Sequence, residues 1–459
     1  VKLVVIGGDA AGMSAASQAR KRMGTGELEI VAFERGRFTS YSACGIPYWI
    51  GGVVPGLDPL IARRPEAFRE AGIDVRTRHE VVAIDLRRRE VTARDLEGGG
   101  ELREGFDQLV YAAGAVPVTP DWARVDAGGV FGVQTLDDGA AVQAWLDRDP
   151  APRRAVVIGG GYVGVEMAEA MVRRGLDVTL LERSPQPMST VDEDMGERVG
   201  KAIRGLGIEV RTRTPVRGLE TLDGRVSAVV TPDGALPADI VVLGLGVRPN
   251  TALAAESGIP LGVTGGIRTD LRMRVVGPQG HVDGIWAAGD CVQTVHRVSG
   301  RPVHVPLGTH ANKQGRVAGI NIGGGYATFP GVIGTAVTKV CDLEVARTGL
   351  TESEAAQAGF EYVTAAVEST NRAGYYPGAV PMVIKMIAER RTGVLLGAQI
   401  VGREEAGKRI DALAIAIWNR MPVEEMTALD LSYAPPFSPV WDPVLIAARK
   451  ATEAVHAAG

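Results

Sequence analysis

Cysteine is scarce in this chain: its 459 residues hold three, Cys44, Cys291 and Cys341, with no C-x-x-C pair. So few cannot build a disulfide framework. No cluster of His, Cys and carboxylates has metal-ligand spacing, so no metal is expected. Charge of one sign is lacking too. Lys and Arg number 50 against 54 Asp and Glu, a net charge of −4 with no basic run, which argues against nucleic acid as a partner. No apolar run approaches the ~20 residues of a transmembrane helix, so no membrane partner is expected. The opening VKLVVIGG reads as a buried strand entering a turn. A secretory signal would need a cationic start and a longer apolar stretch, so a cytoplasmic location is expected. Glycine is abundant at 60 residues, as in nucleotide-binding folds where backbone must approach phosphate closely. The length suggests two or three domains.

One internal echo organises the chain. VKLVVIGGDAAGMSAASQARKR at 1–22 resembles RRAVVIGGGYVGVEMAEAMVRR at 153–174. Each is a β-branched run, then glycines, then an Ala-rich amphipathic stretch. Each leads to a second strand ending in a carboxylate, EIVAFER at Glu34 and DVTLLER at Glu182. This is a βαβ unit written twice, and it predicts a layered α/β architecture with parallel sheets. Further strand-to-glycine segments follow: QLVYAAGAVP, DIVVLGLGVRPN and GIWAAGDC. Beyond about residue 328 the strand-like runs VIGTAVTKV, VPMVIKMIA and GVLLGAQIVG precede the helical RIDALAIAIWNR. That reads as an α+β domain, joined at the Gly cluster 323–326.

Two glycine loops, each between a strand and a helix and each with an acidic residue about 20 positions on, form a strong dinucleotide signal. Gly7 and Gly12 hold the outer positions of the first loop, but Asp9 stands in the middle one. A carboxylate beside a pyrophosphate costs affinity unless it turns away or is neutralised. The second loop is intact, with Gly159, Gly161 and Gly164. Glu182 opposes a 2′-phosphate and favours NADH, while its neighbour Arg183 leaves NADPH open.

On these motifs the whole chain resembles the flavin-dependent pyridine nucleotide–disulfide oxidoreductases. The resemblance implies two Rossmann-like domains, one for FAD (1–118 and 246–326) and one for NAD(P)H (119–245), plus a dimerisation domain (327–459). It implies an FAD site of Gly7, Asp9, Ala10, Ala11, Gly12, Glu34, Arg35, Ser42, Val81, Ala113, Gly114 and Asp290. The last of these lies in GIWAAGDC and would hold the ribityl chain. It implies an NAD site of Gly159, Gly161, Tyr162, Val163, Gly164, Glu166, Glu182, Arg183 and Gly246, with Glu166 read on the first turn of its helix.

Family members differ in their redox centre, and many carry C-x4-C. Here Trp49 stands where the second cysteine would be, in YSACGIPYWIGG. The pattern is similar to the single-cysteine branch: coenzyme A disulfide reductases, persulfide and polysulfide reductases, and NADH oxidases or peroxidases. The first loop lacks the histidine of the oxidases. GYYPG and LSYAPPFSPVWDP resemble segments that supply Tyr375 and Tyr433 to the partner subunit's cysteine. The resemblance thus implies a homodimer with shared sites that reduces a small thiol or disulfide substrate. Cys44 would be the redox cysteine, with coenzyme A held on it as a mixed disulfide and contacted by Gln18, Lys21 and Ser40. The reading stays open between reduction of coenzyme A disulfide, persulfide or polysulfide and an oxidase in which Cys44 cycles through a sulfenic acid. A position at the start of a helix, near an electron-poor flavin, is expected to lower the pKa of Cys44. Cys291, Cys341 and His310 are expected to be structural, and Lys408 and Arg409 a surface charge pair.

Overall fold

The two β-branched runs that echo each other in sequence become the centres of two parallel sheets. The structure is a computed structural model that describes residues 1–459. Strand Lys2–Ile6 lies between Glu29–Glu34 and Gln108–Tyr111, so that Leu3 is paired with Ile30 on one side and Gln108 on the other. Strand Arg154–Ile158 lies in the same way between Asp177–Leu181 and Ile240–Leu243, with Ala155 beside Val178 and Ile240. Central strands of parallel sheets are buried on both faces, which is why these runs are apolar without alternation. Leu3, Val4, Val5, Val156 and Val157 are almost wholly buried.

The first sheet has six strands, in the order Arg274–Gly277, Gly280–Ala287, Gln108–Tyr111, Lys2–Ile6, Glu29–Glu34 and Asp74–Thr77. Strand Gly280–Ala287 joins in parallel beside Gln108–Tyr111, so residues far along the chain complete the first unit. Helix Gly308–Ile322 does the same from outside the sheet by packing on helix Ala10–Arg22. A Cβ on Gly315 would stand 2.1 Å from the Ala11 carbonyl oxygen, and one on Gly319 2.2 Å from that of Ala15. Only glycine lets the two helices approach so closely. The second sheet has five strands in the order Glu209–Arg211, Asp177–Leu181, Arg154–Ile158, Ile240–Leu243 and Val130–Gly132, all parallel.

The C-terminal unit is a five-stranded antiparallel sheet: Ala336–Val340, Leu343–Gly349, Leu395–Gly402, Pro381–Glu389 and Tyr362–Thr370. Helices Ala406–Trp418 and Pro443–Ala458 pack their apolar faces on it, around Ile384, Ile400, Leu413 and Ala447. This unit meets the second parallel unit through a buried cation. Lys385 Nζ lies 3.1 Å from Asp192, 2.8 Å from Asp194 and 2.5 Å from Glu352. Gln399 clasps the Asp192 backbone and side chain, and Arg347 donates to the Thr190 carbonyl at 2.7 Å. No helix is long and apolar enough to cross a membrane.

Candidate active site

Both glycine loops have the same construction. Gly7 and Gly159 adopt φ of +105° and +101°, a region that disfavours any side chain. A Cβ on Gly12 would lie 1.9 Å from the Gly7 carbonyl oxygen, and one on Gly164 1.8 Å from that of Gly159. The helices that follow, Ala10–Arg22 and Tyr162–Arg173, begin with no side-chain cap. Their first N–H groups are thus left for an anion. Glu34 and Glu182 brace the loops identically: Gly8 N–H donates to Glu34 Oε2 and Gly160 N–H to Glu182 Oε2, each at 2.7 Å. The other oxygens accept from Gly36 at 2.6 Å and Ser184 at 2.7 Å. Each carboxylate therefore shapes its own loop, a task not legible from spacing.

Asp9 is turned aside. Its Oδ1 accepts from the Tyr41 N–H at 3.1 Å, and burial, with Glu34 and Asp290 nearby, pushes it up to about 6. Burial alone pushes Asp290 up to about 6, with no protein donor compensating. The Asp290 carbonyl meets His304 Nε2 at 2.7 Å, and Gly289 N–H donates to Gln314. Ala10, Ala11, Ala112, Ala288 and Ala311 form one small apolar patch beside these groups. Uncapped amides, the unpartnered Asp290 carboxylate and an apolar floor suit a dinucleotide with a polyol arm, so the residues present fit FAD. Ala113 accepts from Asn250, Gly114 and Gly246 take positive φ, and Val118 bonds Gly246, so these three mark the crossing between the first two units. Val81 packs in the first core, whereas Arg35 is exposed and reaches Glu80 at 3.7 Å. Ser42 is exposed and Val163 half-exposed; Arg183 is exposed beside the bound-in Glu182.

Cys44 sits in a 3-10 turn, Ala43–Gly45, ahead of the short helix Ile46–Ile50. It is a free, exposed thiol. The protein groups by themselves do not depress its pKa. Crowding by the surrounding protein pushes the thiol up, and Glu166 and Asp290 add to the rise. The helix is one turn and a half long, too short to offset two anions. Glu166 itself lies on the second turn of helix Tyr162–Arg173 rather than the first. It accepts from Thr338 Oγ1 at 2.6 Å, and burial raises its carboxyl. Tyr162 is half-buried against Thr190, with Arg347 near. Cys291 is fully buried, and burial pushes it up to about 12. Cys341, in a hairpin turn at φ +59° with its N–H on Glu169, is likewise pushed up to about 12. His310 sets its ring edge-on to Phe329, and burial lowers its pKa.

A groove of about 390 Å³ is lined by Gln18, Ser40, Arg63, Asn312, Lys313 and Arg316 among others. Gln18 and Ser40 are among the expected substrate contacts; Lys21 is exposed on the same helix but does not line the groove. Three cations, Arg63, Lys313 and Arg316, were missed by sequence reasoning, since Arg63 comes from a distant loop and the other two from helix Gly308–Ile322, with no motif linking them. Residues Ser40 to Cys44 join groove to thiol, a span of at most ~14 Å. Tyr375 and Tyr433 are brought together on the C-terminal unit, close enough for the Tyr433 hydroxyl to raise that of Tyr375. The surface pair expected at 408–409 is half wrong: Lys408 is exposed beside Asp411, but the Arg409 side chain is only 12% exposed and bonded on all sides.

The family description "Pyridine nucleotide-disulphide oxidoreductase" matches residues 1–315, and that of its dimerisation domain matches residues 335–443. A "NAD(P)H sulfur oxidoreductase (CoA-dependent)" of Pyrococcus abyssi is 38% identical over 97% of each chain. A "NADH oxidase" of Methanocaldococcus jannaschii is 36% identical over 98% of each. A solved NAD-dependent persulfide reductase from A. fulgidus superposes with a TM-score of 0.93 at 38% identity, covering 99% of this chain and 83% of that one. The chain belongs to the pyridine nucleotide-disulphide oxidoreductase family and is an FAD- and NAD(P)H-dependent oxidoreductase.

Proposed function

We propose that the chain uses NAD(P)H to reduce sulfur bonded to coenzyme A, as a persulfide, polysulfide or disulfide, through Cys44. The observation that carries this reading is one exposed thiol joined by three residues to a cationic groove. Arg63, Lys313 and Arg316 match the phosphates of a coenzyme A arm, and the length from Ser40 to Cys44 suits an extended thiol. The similarity to the coenzyme A-dependent sulfur oxidoreductase of Pyrococcus abyssi supports the same substrate class.

FAD, when bound, supplies the two-electron relay between nicotinamide and sulfur. Gly7, Gly12 and the amides of helix Ala10–Arg22 would hold its pyrophosphate, and Asp290 its polyol hydroxyls. Gly159, Gly161 and Gly164 would hold the nicotinamide dinucleotide, with Glu182 favouring NADH. Cys44 rests as a mixed disulfide with coenzyme A. Two electrons and a proton cleave that bond, freeing one coenzyme A thiol and the Cys44 thiolate. The thiolate attacks the sulfur of the next coenzyme A disulfide, expels the second thiol and restores the mixed disulfide. With a persulfide, the two electrons and two protons yield the thiol and hydrogen sulfide. Glu166, whose carboxyl is raised by burial, lies close enough to Cys44 to raise the thiol in turn. Tyr375 and Tyr433 of the second protomer donate to the departing sulfur.

Intact-protein mass spectrometry tests this. The proposal expects a reductant-labile coenzyme A adduct that disappears in Cys44→Ser. A bare thiol or an oxygen adduct at Cys44 would transfer the weight to oxidase chemistry. The relative named NADH oxidase and the solvent-facing thiol favour that second reading.

A further inference from the structure

We infer that Arg409 is a positioning residue: its guanidinium locks the two backbone segments that carry Tyr375 and Tyr433 into one unit and thereby sets the rate of the sulfur step. The inference rests on the reading that these tyrosines act at sulfur.

Tyr375 is 78% exposed and Tyr433 48% exposed, so their own packing does little to hold them. An exposed side chain placed for chemistry needs backbone fixed by something else, or its disorder is charged against the rate. Tyr375 stands in the loop between strands Tyr362–Thr370 and Pro381–Glu389. Asn371 closes that loop: its N–H donates to the Val380 carbonyl at 3.1 Å, and its Oδ1 accepts from the Val380 N–H at 2.9 Å. Tyr433 stands in the irregular segment that leads to helix Pro443–Ala458. The two segments touch where Ala373 N–H donates to the Pro435 carbonyl at 3.1 Å.

Arg409 completes the joint from beneath. It lies in the first turn of helix Ala406–Trp418. One nitrogen, Nη2, donates to the Asn371 carbonyl at 2.8 Å and to the Phe437 carbonyl at 2.9 Å, one from each tyrosine segment. Nε donates to Asp442 Oδ2 at 3.1 Å and Nη1 to Glu405 Oε2 at 3.1 Å. Asp442 is itself fixed, because its Oδ1 caps helix Pro443–Ala458 at the Val444 N–H at 2.8 Å and its Oδ2 takes Ser438 Oγ at 3.1 Å. Two carboxylates thus orient a planar fork, and the fork bridges two carbonyls. Lysine carries one point charge and cannot span the same four acceptors. All these bonds lie within the C-terminal unit, away from both glycine loops. Loss of Arg409 should therefore loosen the tyrosine pair and leave nucleotide binding alone.

The test uses the FAD-loaded holoenzyme, with NADH as donor and coenzyme A disulfide or ferricyanide as acceptor. Arg409→Met and the milder Arg409→Lys, which keeps the charge should the first fail to fold, are compared with Tyr375→Phe and Tyr433→Phe. Expected are a ten-fold or greater fall in kcat with the disulfide, an unchanged KM for NADH and unchanged ferricyanide reduction. Arg409→Lys combined with Tyr433→Phe should lose little beyond Tyr433→Phe alone. If the tyrosine variants lose turnover and Arg409→Lys does not, the inference falls while the tyrosine reading stands. If ferricyanide reduction falls in step with disulfide turnover, Arg409 is merely structural and the inference falls. If both tyrosine variants keep wild-type turnover, the underlying reading falls and takes this inference with it.

Discussion

At the residue scale the chemistry turns on carboxylates held where water is scarce. Glu166 and Asp290 both raise the Cys44 thiol, so removing a charge should release it. Glu166→Gln should speed alkylation of reduced Cys44 by iodoacetamide at pH 7 several-fold; an unchanged or slower rate would mean that Glu166 is not felt by the thiol. Asp9 gives a pH prediction. It titrates at about 6 in the folded chain against about 3.9 unfolded. Folding therefore favours the protonated acid, and that contribution is fully present below about pH 4 and lost as pH rises through 6. Asp9→Asn should accordingly gain about 2 kcal/mol on wild type between pH 4 and pH 7.5, read from urea unfolding at both values. An equal difference at the two pH values would show that the carboxyl is not perturbed. Cys44 was singled out by the resemblance of YSACGIPYWIGG to the family's single-cysteine branch, whereas the positions of Gly7, Glu34, Gly159 and Glu182 were legible in the sequence because local spacing fixes them. The tilt of Asp9 to Tyr41 and the burial of Arg409 were not, because their partners lie 32 and 33 residues away.

At the scale of elements, the glycines that open the helices leave no room for a methyl group. Gly164→Ala would place a Cβ 1.8 Å from the Gly159 carbonyl oxygen, which forces helix Tyr162–Arg173 off its strand. The expected outcome is a ten-fold or greater rise in KM for NADH with FAD content retained, measured by steady-state kinetics and flavin absorbance. Loss of FAD instead would assign the second loop to the wrong nucleotide. The two βαβ units were readable because their strands are buried on both faces and their loops need glycine. Strands Leu343–Gly349 and Tyr362–Thr370 were not read. The first carries Glu344 and Arg347 within its run, and the second alternates half-buried and exposed residues as an edge strand does.

At the scale of the whole molecule, the second parallel unit is set against the C-terminal sheet by the Lys385 hub. Lys385→Met would leave Asp192, with a side chain 9% exposed, facing two other carboxylates without a cation. Breaking a buried ion pair from one side costs roughly 3 kcal/mol. The variant should unfold at lower denaturant and bind NADH less tightly, and a wild-type midpoint would show that the hub contributes no stability. This joint was invisible in sequence, since its four members come from three separate elements. The central claim is that Cys44 is the side chain through which electrons from the flavin reach sulfur on coenzyme A. The most direct measurement follows flavin absorbance and coenzyme A persulfide turnover together, anaerobically, with NADH, in wild type and in Cys44→Ser. The account predicts that the flavin bleaches at the same rate in both and that only wild type releases hydrogen sulfide. Release by Cys44→Ser at the wild-type rate would contradict it.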